Sequence, residues 1–419
     1  MAQHISDRLS APGPKRMLAL DGGGTRGVIS IEFLREIEKT IQKKLGRGDD
    51  FVLADYFDMI GGTSVGSILA TMLALGWRVN DIDSTFKSWA PQVFKRRTSF
   101  NDRYDARALS LKVRQVVHDW PLKSEELKTG LCVVAKRADT NSAWIMTNNP
   151  NGRYFEGEGA TIANGDYLLH DVIRASTAAP TVFSPKQIEI HAWHQGGVRT
   201  AKAGYFMDGA LSPHNNPAWA MYMLAVLKAH NLGGAPVASL KQDRANGKSW
   251  GLGPDQLMMI SIGTGSYASA VRPSIFRVFE AIEALRSMIH DGEQQTLANL
   301  QGLSQPRMCW TVDSEIGDMA SDLIADSPQL SFQRYDMPLE ANWLKGETGN
   351  NVQPGENLKS EIAKQKLRID RRIRRLQELV NLKAMKTLQP LARAAAQDQV
   401  SVQDFPDAFD QIWQSHSSA

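Results

Sequence analysis

The sequence predicts an α/β protein in which helices alternate with the strands of an open sheet. A short apolar strand at 16–20 runs into a glycine loop at 21–27 and then into an amphipathic helix at 28–45. A second apolar strand ends at Gly62 and turns sharply into a helical stretch at 67–76. This repeated order of strand, loop and helix is typical of an open α/β sheet. The apolar positions of the first helix recur every three or four residues, at Ile31, Leu34, Ile37, Ile41 and Leu45.

Composition and charge exclude a few classes of protein. The 419 residues are 42% hydrophobic and 22% charged, an ordinary globular balance, and they suffice for one large domain or several smaller ones. A formal net charge of +3 is too small to indicate a DNA or RNA partner. Cys132 and Cys309 lie in apolar runs and are expected to be buried, reduced thiols. No spacing of Cys and His residues suits a metal, so we expect no metal site.

The absence of targeting patterns predicts a cytoplasmic protein. Residues 1–15 are polar, contain Pro12 and Pro14, and lack the apolar run of a secretory signal, so we expect a flexible N-terminus. The longest nearly apolar run, 68–77, is far shorter than the roughly 20 residues that span a bilayer. We therefore expect a cytoplasmic protein that visits a membrane surface.

The glycine loop at 21–27 is open to three interpretations. Gly22, Gly24 and Gly27 match the G-x-G-x-x-G pattern of dinucleotide-binding loops, yet Asp21 places a negative charge at the mouth of the loop. The acidic residue that this pattern needs about 20 positions later also has no strand to lie on. Consecutive glycines can instead present several backbone N–H groups to one point, as an oxyanion hole requires. A tight turn without a ligand is the third interpretation.

Ser64 is a candidate nucleophile and Asp208 its candidate base. Gly62 and Gly66 flank Ser64, which suits a strand-to-helix turn that exposes the hydroxyl, although a plain tight turn is also compatible. Asp208 ends another predicted strand and precedes Gly209, at the rim of the sheet. Ligands bind at the carboxyl ends of strands in open α/β sheets, so these residues predict two-step acyl transfer. The base takes the serine proton, the serine attacks an ester, the loop amides hold the oxyanion, and water then releases the acyl group.

Other stretches carry further expectations. Phe86, Trp89 and Phe94 precede a basic triplet at 95–97, which favours helix packing and also fits a membrane surface or an acyl channel. A loop containing His191 and His194 is expected between two short strands. We also expect a strand at 307–312.

The last long helix is expected at 357–387 and is the most basic segment of the chain. An apolar stripe along it favours packing on the body of the protein. Attraction to an acidic lipid surface or to an anionic effector is the alternative. The stripe consists of Ile362, Ile369, Ile373, Leu376 and Val380.

Four blocks of the sequence together resemble the patatin-like phospholipases in order and spacing. They are Asp21-Gly-Gly-Gly-Thr-Arg-Gly27, Gly62-Thr-Ser-Val-Gly66, Ala178-Ala-Pro-Thr-Val-Phe183 and Asp208-Gly-Ala210. The resemblance implies a three-layer α/β/α fold with a central, mostly parallel sheet and a helical C-terminal extension. It also implies membrane glycerophospholipids as substrate and no cofactor for catalysis.

The same resemblance assigns residues to roles. Ser64 is the nucleophile and Asp208 the base of a Ser–Asp dyad, and Gly22, Gly23 and Gly24 form the oxyanion hole. Thr25 and Arg26 match variable positions of the family's loop. The positions that support the motifs are Asp21, Arg26, Gly27, Gly62, Gly66, Pro180 and Gly209.

The resemblance covers about residues 16–265. The remainder resembles longer bacterial patatins that act as membrane-degrading effectors of cyclic-oligonucleotide antiphage signalling. This implies a cyclic dinucleotide activator and peripheral binding to the inner membrane when active, and it leaves a homo-oligomer open, while no short motif fixes a nucleotide pocket. After a flexible 1–15, we expect a catalytic domain at 16–340 and a basic helical extension at 341–419 packed on it.

Three alternatives remain at this point. A Ser–Asp–His triad would need a histidine after Asp208 in the chain. A non-catalytic dinucleotide-binding module would use residues 22–27, and a constitutive lipase would work without nucleotide control. The histidines that follow Asp208 are His214, His230, His290 and His416, none of which lies in a supporting motif.

Overall fold

The structure is a computed structural model. It describes residues 3–95, 104–152, 154–157, 159–195, 198–227, 250–268, 277–348, 351–366 and 368–412. The strands are β1 (Lys15–Leu20), β2 (Met59–Thr63), β3 (Gly130–Arg137), β4 (Ser142–Thr147), β5 (Lys186–Gln195), β6 (Val198–Asp208), β7 (Gly253–Ile262) and β8 (Leu330–Tyr335). They form an eight-stranded sheet in the order β5-β6-β3-β2-β1-β7-β8, and β4 also pairs with β3.

Five of these strands form a parallel core. Met17 of β1 pairs with Met59 of β2 and with Met259 of β7, and β3 and β8 extend the parallel ladder on either side. Every residue of β1 and β2 is buried, which is expected where helices cover both faces of a sheet. The predicted mostly parallel sheet is therefore confirmed.

Helices lie on both faces of this sheet, as the three-layer prediction requires. Neighbouring residues of a strand point to opposite faces. A side chain at Gly61 would meet Met221 of α8, whereas one at Gly62 would meet the backbone of Gly66 in α4. The helices are α1 (Gln3–Ser10), α2 (Gly27–Lys44), α3 (Leu53–Tyr56), α4 (Val65–Ala74), α5 (Val79–Val93), α6 (Ala106–Val117), α7 (Leu169–Ser176), α8 (Ala218–Val226), α9 (Arg277–Gly302), α10 (Ala341–Lys345), α11 (Glu356–Lys364), α12 (Ile369–Gln377) and α13 (Leu382–Gln399).

Strand β3 brings the ends of β2 and β6 together. β4 occupies one edge of β3 over residues 132–137, and the other edge is shared by β2 and β6. Because β2 is parallel to β3 and β6 is antiparallel, the two strands run towards each other along that edge. They stop at adjacent positions, with Thr63 opposite Val134 and Asp208 opposite Ala135. The residue after Thr63 therefore meets the end of β6.

The N-terminus differs from its prediction. Residues 3–10, expected to be flexible, form helix α1, with Leu9 fully buried. The Arg8 side chain is also buried and donates to the carbonyl oxygens of Phe57 at 2.8 Å and Lys128 at 3.0 Å. These contacts hold α1 against the sheet. They could not be predicted from the polar composition of the segment.

The C-terminal segment also differs from its prediction. The single helix expected at 357–387 is broken into α11, α12 and the start of α13. Lys366 has φ +48°, which does not continue a right-handed helix. Residues 378–381 then separate α12 from α13, and the Asn381 side chain caps α13 by accepting two backbone N–H groups.

The C-terminal helices nevertheless pack on the part of the protein that contains the sheet. On α13, Arg393 and Gln389 donate to the buried carboxylate of Glu32 in α2, at 2.8 Å and 2.6 Å. Ile369 and Leu376 of the predicted apolar stripe are buried. This basic region therefore buries part of its apolar stripe and also forms polar contacts with α2, as the packing interpretation expects.

Two smaller regions also differ from their predictions. β5 and β6 are longer than predicted, so His191 and His194 lie in β5 rather than in a loop. Residues 307–312 are not a strand, because the backbone of Trp310 makes two hydrogen bonds with the Gln301 side chain instead of pairing with a neighbouring strand.

No helix in the described ranges has the length and apolar composition needed to cross a membrane. Residues 96 and 97 of the basic triplet, His230 and His416 lie outside the described residues.

Candidate active site

Ser64 occupies a strained turn between β2 and α4. Its backbone has φ +54° and ψ −125°, a conformation that costs free energy for any residue other than glycine. The Ser64 N–H donates to Ser176 Oγ at 2.9 Å, and that hydroxyl in turn donates to the Val134 carbonyl oxygen at 2.6 Å. This chain of hydrogen bonds fixes the turn and leaves the Ser64 hydroxyl directed away from it.

The structure brings Ser64 and Asp208 into direct contact. Ser64 Oγ donates to Asp208 Oδ2 at 2.6 Å, a short distance typical of a hydroxyl bound to a carboxylate. The other carboxylate oxygen, Oδ1, accepts the N–H of Ala210 at 2.9 Å. Both carboxylate oxygens are thus held by groups from the ends of β2 and β6.

Burial makes Asp208 a stronger base than an exposed aspartate. The residue is 3% exposed. This burial raises the pKa of Asp208 to about 6, while the hydrogen bonds from Ser64 and Ala210 oppose the rise. A carboxylate with such a pKa accepts a proton more readily than one at the usual value of about 3.9.

In the described part of the chain, the triad candidates His214 and His290 do not join this pair. Ser64 contacts Asp208 directly, so no imidazole lies between them. The Nδ1 atom of His214 is buried without a hydrogen-bond partner among the described residues, and the ring of His290 contacts Gln294. A two-residue arrangement therefore fits the geometry better than a triad.

The glycine loop lies directly beside Ser64. A Cβ atom added at Gly22 would be 3.1 Å from the Ser64 Cβ atom. The Gly22 N–H donates to the Asn215 carbonyl oxygen at 3.2 Å. Within the described residues, the N–H groups of Gly23 and Gly24 make no hydrogen bond. Of the three glycines predicted to form the oxyanion hole, only Gly23 and Gly24 have N–H groups available for an oxyanion, because the Gly22 N–H is hydrogen-bonded to Asn215.

Asp21 and Arg26 anchor the two sides of the loop. The Asp21 carboxylate forms a buried two-point ion pair with Arg334 of β8, with distances of 3.0 Å and 2.7 Å. Arg26 donates to the Gly265 carbonyl oxygen at 3.1 Å and lies over the Tyr267 ring.

In the described ranges, no group of three or more His, Cys, Asp or Glu side chains could hold a metal ion.

The motif glycines are places where backbone segments approach closely. A Cβ atom at Gly62 would lie 2.1 Å from the Gly66 carbonyl oxygen, and one at Gly66 would lie 2.2 Å from that of Leu20. At Gly209 the corresponding distance to the Val134 carbonyl oxygen is 2.3 Å. Any side chain would push these segments apart, which explains the glycine pattern around both candidate catalytic residues.

Two cavities of different character meet at Ser64. The larger, of about 500 Å³, is lined by the glycine loop, Pro180, Asp208 and residues of α9. The smaller is a narrow apolar slot of about 50 Å³ that begins at Ser64. It contains the aromatic residues that the sequence singled out, and its lining includes Ile68, Phe86, Trp89, Val93, Phe94, Leu109 and Phe183.

The linker between α12 and α13, residues 378–381, lies against the glycine loop. The Leu379 carbonyl oxygen accepts the Thr25 N–H at 2.9 Å, and the N–H of Asn381 donates to the Thr25 hydroxyl at 2.9 Å. A Cβ atom at Gly24 would be 2.2 Å from the same carbonyl oxygen. Leu379 and Val380 line both cavities, so this linker forms part of the wall at Ser64.

Several supporting residues were not predicted from the sequence. Ser176, Asn215 and Thr264 are neutral and common, and only the fold shows that they hold Ser64 and Gly22. A signal did exist for Arg334, because a charged residue inside a buried strand needs an ionic partner. Nothing in the local sequence of Leu379 indicates its place beside the loop.

The chain is similar to one protein family and to several known proteins. A family model described as patatin-like phospholipase matches residues 18–222. A cGAMP-activated phospholipase of Vibrio cholerae is 28% identical over 49% of this chain and 56% of the relative. One of Escherichia coli is 29% identical over 51% and 57%, so the alignments span little more than half of these relatives.

More distant matches extend further along the chain. Patatin-03 of Solanum tuberosum is 24% identical over 82% of this chain and 83% of the relative. The crystal structure of VipD from Legionella pneumophila aligns with 11% identity over 91% of this chain and 67% of that one, at a TM-score of 0.35, too low to support an argument. The family match covers the end of β1, both glycine motifs and Asp208. Residues 18–222 therefore form a patatin-like phospholipase domain.

Proposed function

We propose that the chain is a serine lipid acyl hydrolase of the phospholipase A type, which cleaves membrane glycerophospholipid esters through Ser64 and Asp208. The observation that carries this proposal is the 2.6 Å hydrogen bond from Ser64 Oγ to the buried carboxylate, beside a glycine loop with two available amides. The patatin-like phospholipase domain supports the choice of a phospholipid ester as substrate.

The reaction proceeds in two steps. Asp208 accepts the hydroxyl proton as Ser64 Oγ bonds to the ester carbonyl carbon, and the amides of Gly23 and Gly24 hold the resulting oxyanion. The C–O bond to the glycerol oxygen then breaks, and that oxygen leaves with the proton from Asp208. Water next attacks the acyl-enzyme with Asp208 again as base, which frees the fatty acid and restores Ser64.

The pKa of Asp208 predicts how activity depends on pH. Asp208 must be ionised to accept the proton, and its pKa is raised to about 6. We expect kcat/KM to be low in acid, to rise as pH passes through about 6, and then to level off. A water-soluble short-chain ester should be assayed between pH 4 and pH 9 for this purpose. A rise centred near pH 4 would contradict the assigned environment of the base.

The apolar slot predicts acyl-chain selectivity. Leu109 lines the slot, and a phenylalanine there would fill its remaining space. Leu109→Phe is expected to lower kcat/KM for long-chain esters about 10-fold or more relative to short-chain esters, because the chain loses its binding space. Leu111→Phe is a matched control, since Leu111 lies on the same helix and is 64% exposed. Equal chain-length profiles for both variants would contradict the acyl slot.

We further propose that a cyclic dinucleotide activates the enzyme at the inner membrane in antiphage defence. The names of the two bacterial relatives support a cyclic dinucleotide as the activating ligand. The position of the 378–381 linker gives independent support for control, because it borders both cavities and is hydrogen-bonded to the glycine loop.

Liposome hydrolysis with a panel of cyclic dinucleotides tests this regulation. Little activity is expected from the protein alone, and an increase of about tenfold or more with one member of the panel. Linear dinucleotides of the same bases are the matched ligand control, and Ser64→Ala protein supplies the background rate. Full activity without any nucleotide, unchanged across the panel, would favour the constitutive lipase. Tight nucleotide binding without lipid hydrolysis would favour the non-catalytic module.

A further inference from the structure

The hairpin of β5 and β6 extends beyond the carboxyl ends of the parallel strands, which form the edge of the sheet where Ser64 lies. β6 pairs with β3 only from Phe206 to Asp208, next to the end of β2 that carries Ser64. The preceding part of the hairpin, residues 191–195 and 198–204, is here called the arm. Strands rise about 3.3 Å per residue, so the arm reaches about 25 Å past that edge. It therefore projects from the side of the molecule on which Ser64 lies.

The arm exposes an aromatic side chain next to a lysine. Trp193 is 44% exposed and its ring lies 5.8 Å from that of His191. Lys202 pairs with His191 across the hairpin and Thr200 with Trp193, so these four side chains share one face. From residue 190 to residue 204 the sequence contains no Asp or Glu. One face of the arm thus combines a tryptophan with positive charge.

Two acidic groups next to the arm, Glu189 and Asp139, are ion-paired with arginines. Glu189 is ion-paired with Arg199 of the arm. Asp139, at the turn after β3, is paired with Arg137 at 2.8 Å and also accepts the Tyr205 N–H. Among the described residues Lys202 has no ion-pair partner, so the face of the arm that carries Trp193 keeps a positive charge.

We propose that the arm docks the protein on an anionic lipid surface, with Trp193 at the level of the headgroups and the opening at Ser64 turned towards the bilayer. Tryptophan favours the membrane interface, and lysine is attracted to anionic lipids. This inference rests on the proposed lipid hydrolase function for its purpose, and the docking itself can be measured without hydrolysis.

A fluorescent label on the arm tests this docking directly. The native Cys132 and Cys309 are buried, so a new surface cysteine can be labelled selectively. Thr200→Cys carries an environment-sensitive nitrobenzoxadiazole dye on the arm, and Ile324→Cys carries it at a remote exposed site. With phosphatidylglycerol vesicles, we expect a blue shift and brighter emission for the arm label alone. No change, or the same change at both sites, would overturn the proposal.

Two substitutions then separate docking from catalysis. Trp193→Ala and Lys202→Ala are each expected to weaken co-sedimentation with anionic vesicles about fivefold and to slow vesicle hydrolysis similarly. Hydrolysis of a water-soluble ester should stay within about twofold of wild type, and Ile324→Ala should change neither readout. Unchanged vesicle binding in both arm variants would overturn the docking role, as would a wild-type protein that does not bind vesicles.

The same data distinguish failure of the two proposals. Vesicle binding that depends on the arm, without hydrolysis of any ester, would leave docking intact and contradict the hydrolase. Hydrolysis of vesicles that is insensitive to both arm substitutions would leave the hydrolase intact and contradict docking. Equal binding to neutral phosphatidylcholine vesicles would also overturn the anionic preference.

Discussion

Ser64→Ala is expected to lower kcat/KM for ester hydrolysis by about 10⁴-fold or more. The substitution removes the oxygen that forms the acyl-enzyme, and loss of a serine nucleophile has effects of this order or larger in hydrolases. The measurement is the initial rate on a water-soluble ester and on phospholipid vesicles, with the activating cyclic dinucleotide present for both the purified variant and wild type.

Stability measurements separate this effect from unfolding. Among the described residues the Ser64 hydroxyl hydrogen-bonds only to Asp208, while the hydrogen bond that fixes the turn comes from the Ser64 backbone to Ser176. The thermal midpoint of Ser64→Ala should therefore stay close to that of wild type. Hydrolysis by a folded Ser64→Ala protein at more than about a tenth of the wild-type rate would contradict the role of Ser64.

Asp208→Asn is expected to lower kcat/KM by about 10²- to 10⁴-fold. With its single carbonyl oxygen on the Ala210 N–H, an asparagine presents its NH2 group to Ser64 Oγ, where it donates and cannot take up the serine proton. A general base contributes an effect of this size. Rates should be measured at pH 8, where the wild-type carboxylate is ionised. The rise of activity near pH 6 should also be absent from the residual rate of this variant.

Histidine variants provide the contrast for a triad. His214→Ala and His290→Ala are each expected to keep activity far above that of Asp208→Asn, because neither imidazole contacts Ser64 or Asp208. A loss on either histidine change as large as that on Asp208→Asn would favour a Ser–Asp–His triad instead.

The sequence predicted the parts of this site that depend on local chemistry. Glycines around Ser64 and after Asp208 mark places where a side chain would collide with another backbone segment, and such places can be recognised from one stretch of chain. The contact between the two residues could not be predicted in the same way. It depends on β2 and β6 ending at adjacent residues of β3, and β6 is antiparallel, unlike the core strands.

Long-range contacts explain the remaining differences. The amide of Gly22 is engaged by Asn215, which is far away in sequence, so the local glycine pattern cannot show which amides stay available. The apolar stripe at 357–387 keeps a helical period, yet the chain breaks where Leu379 meets the glycine loop. Tertiary hydrogen bonds outweigh helix propensity at that position.

Labelling by a fluorophosphonate lipid analogue tests the central claim most directly. The serine oxygen that attacks esters also attacks phosphorus, displaces fluoride and keeps the phosphonate as a stable ester. The protein should be labelled under conditions in which it hydrolyses phospholipid, digested, and analysed by mass spectrometry. We predict one modified peptide with the phosphonate on Ser64, and a strongly reduced labelling rate in Asp208→Asn. Modification of another residue, with hydrolysis lost in parallel, would contradict the assignment of Ser64 and Asp208.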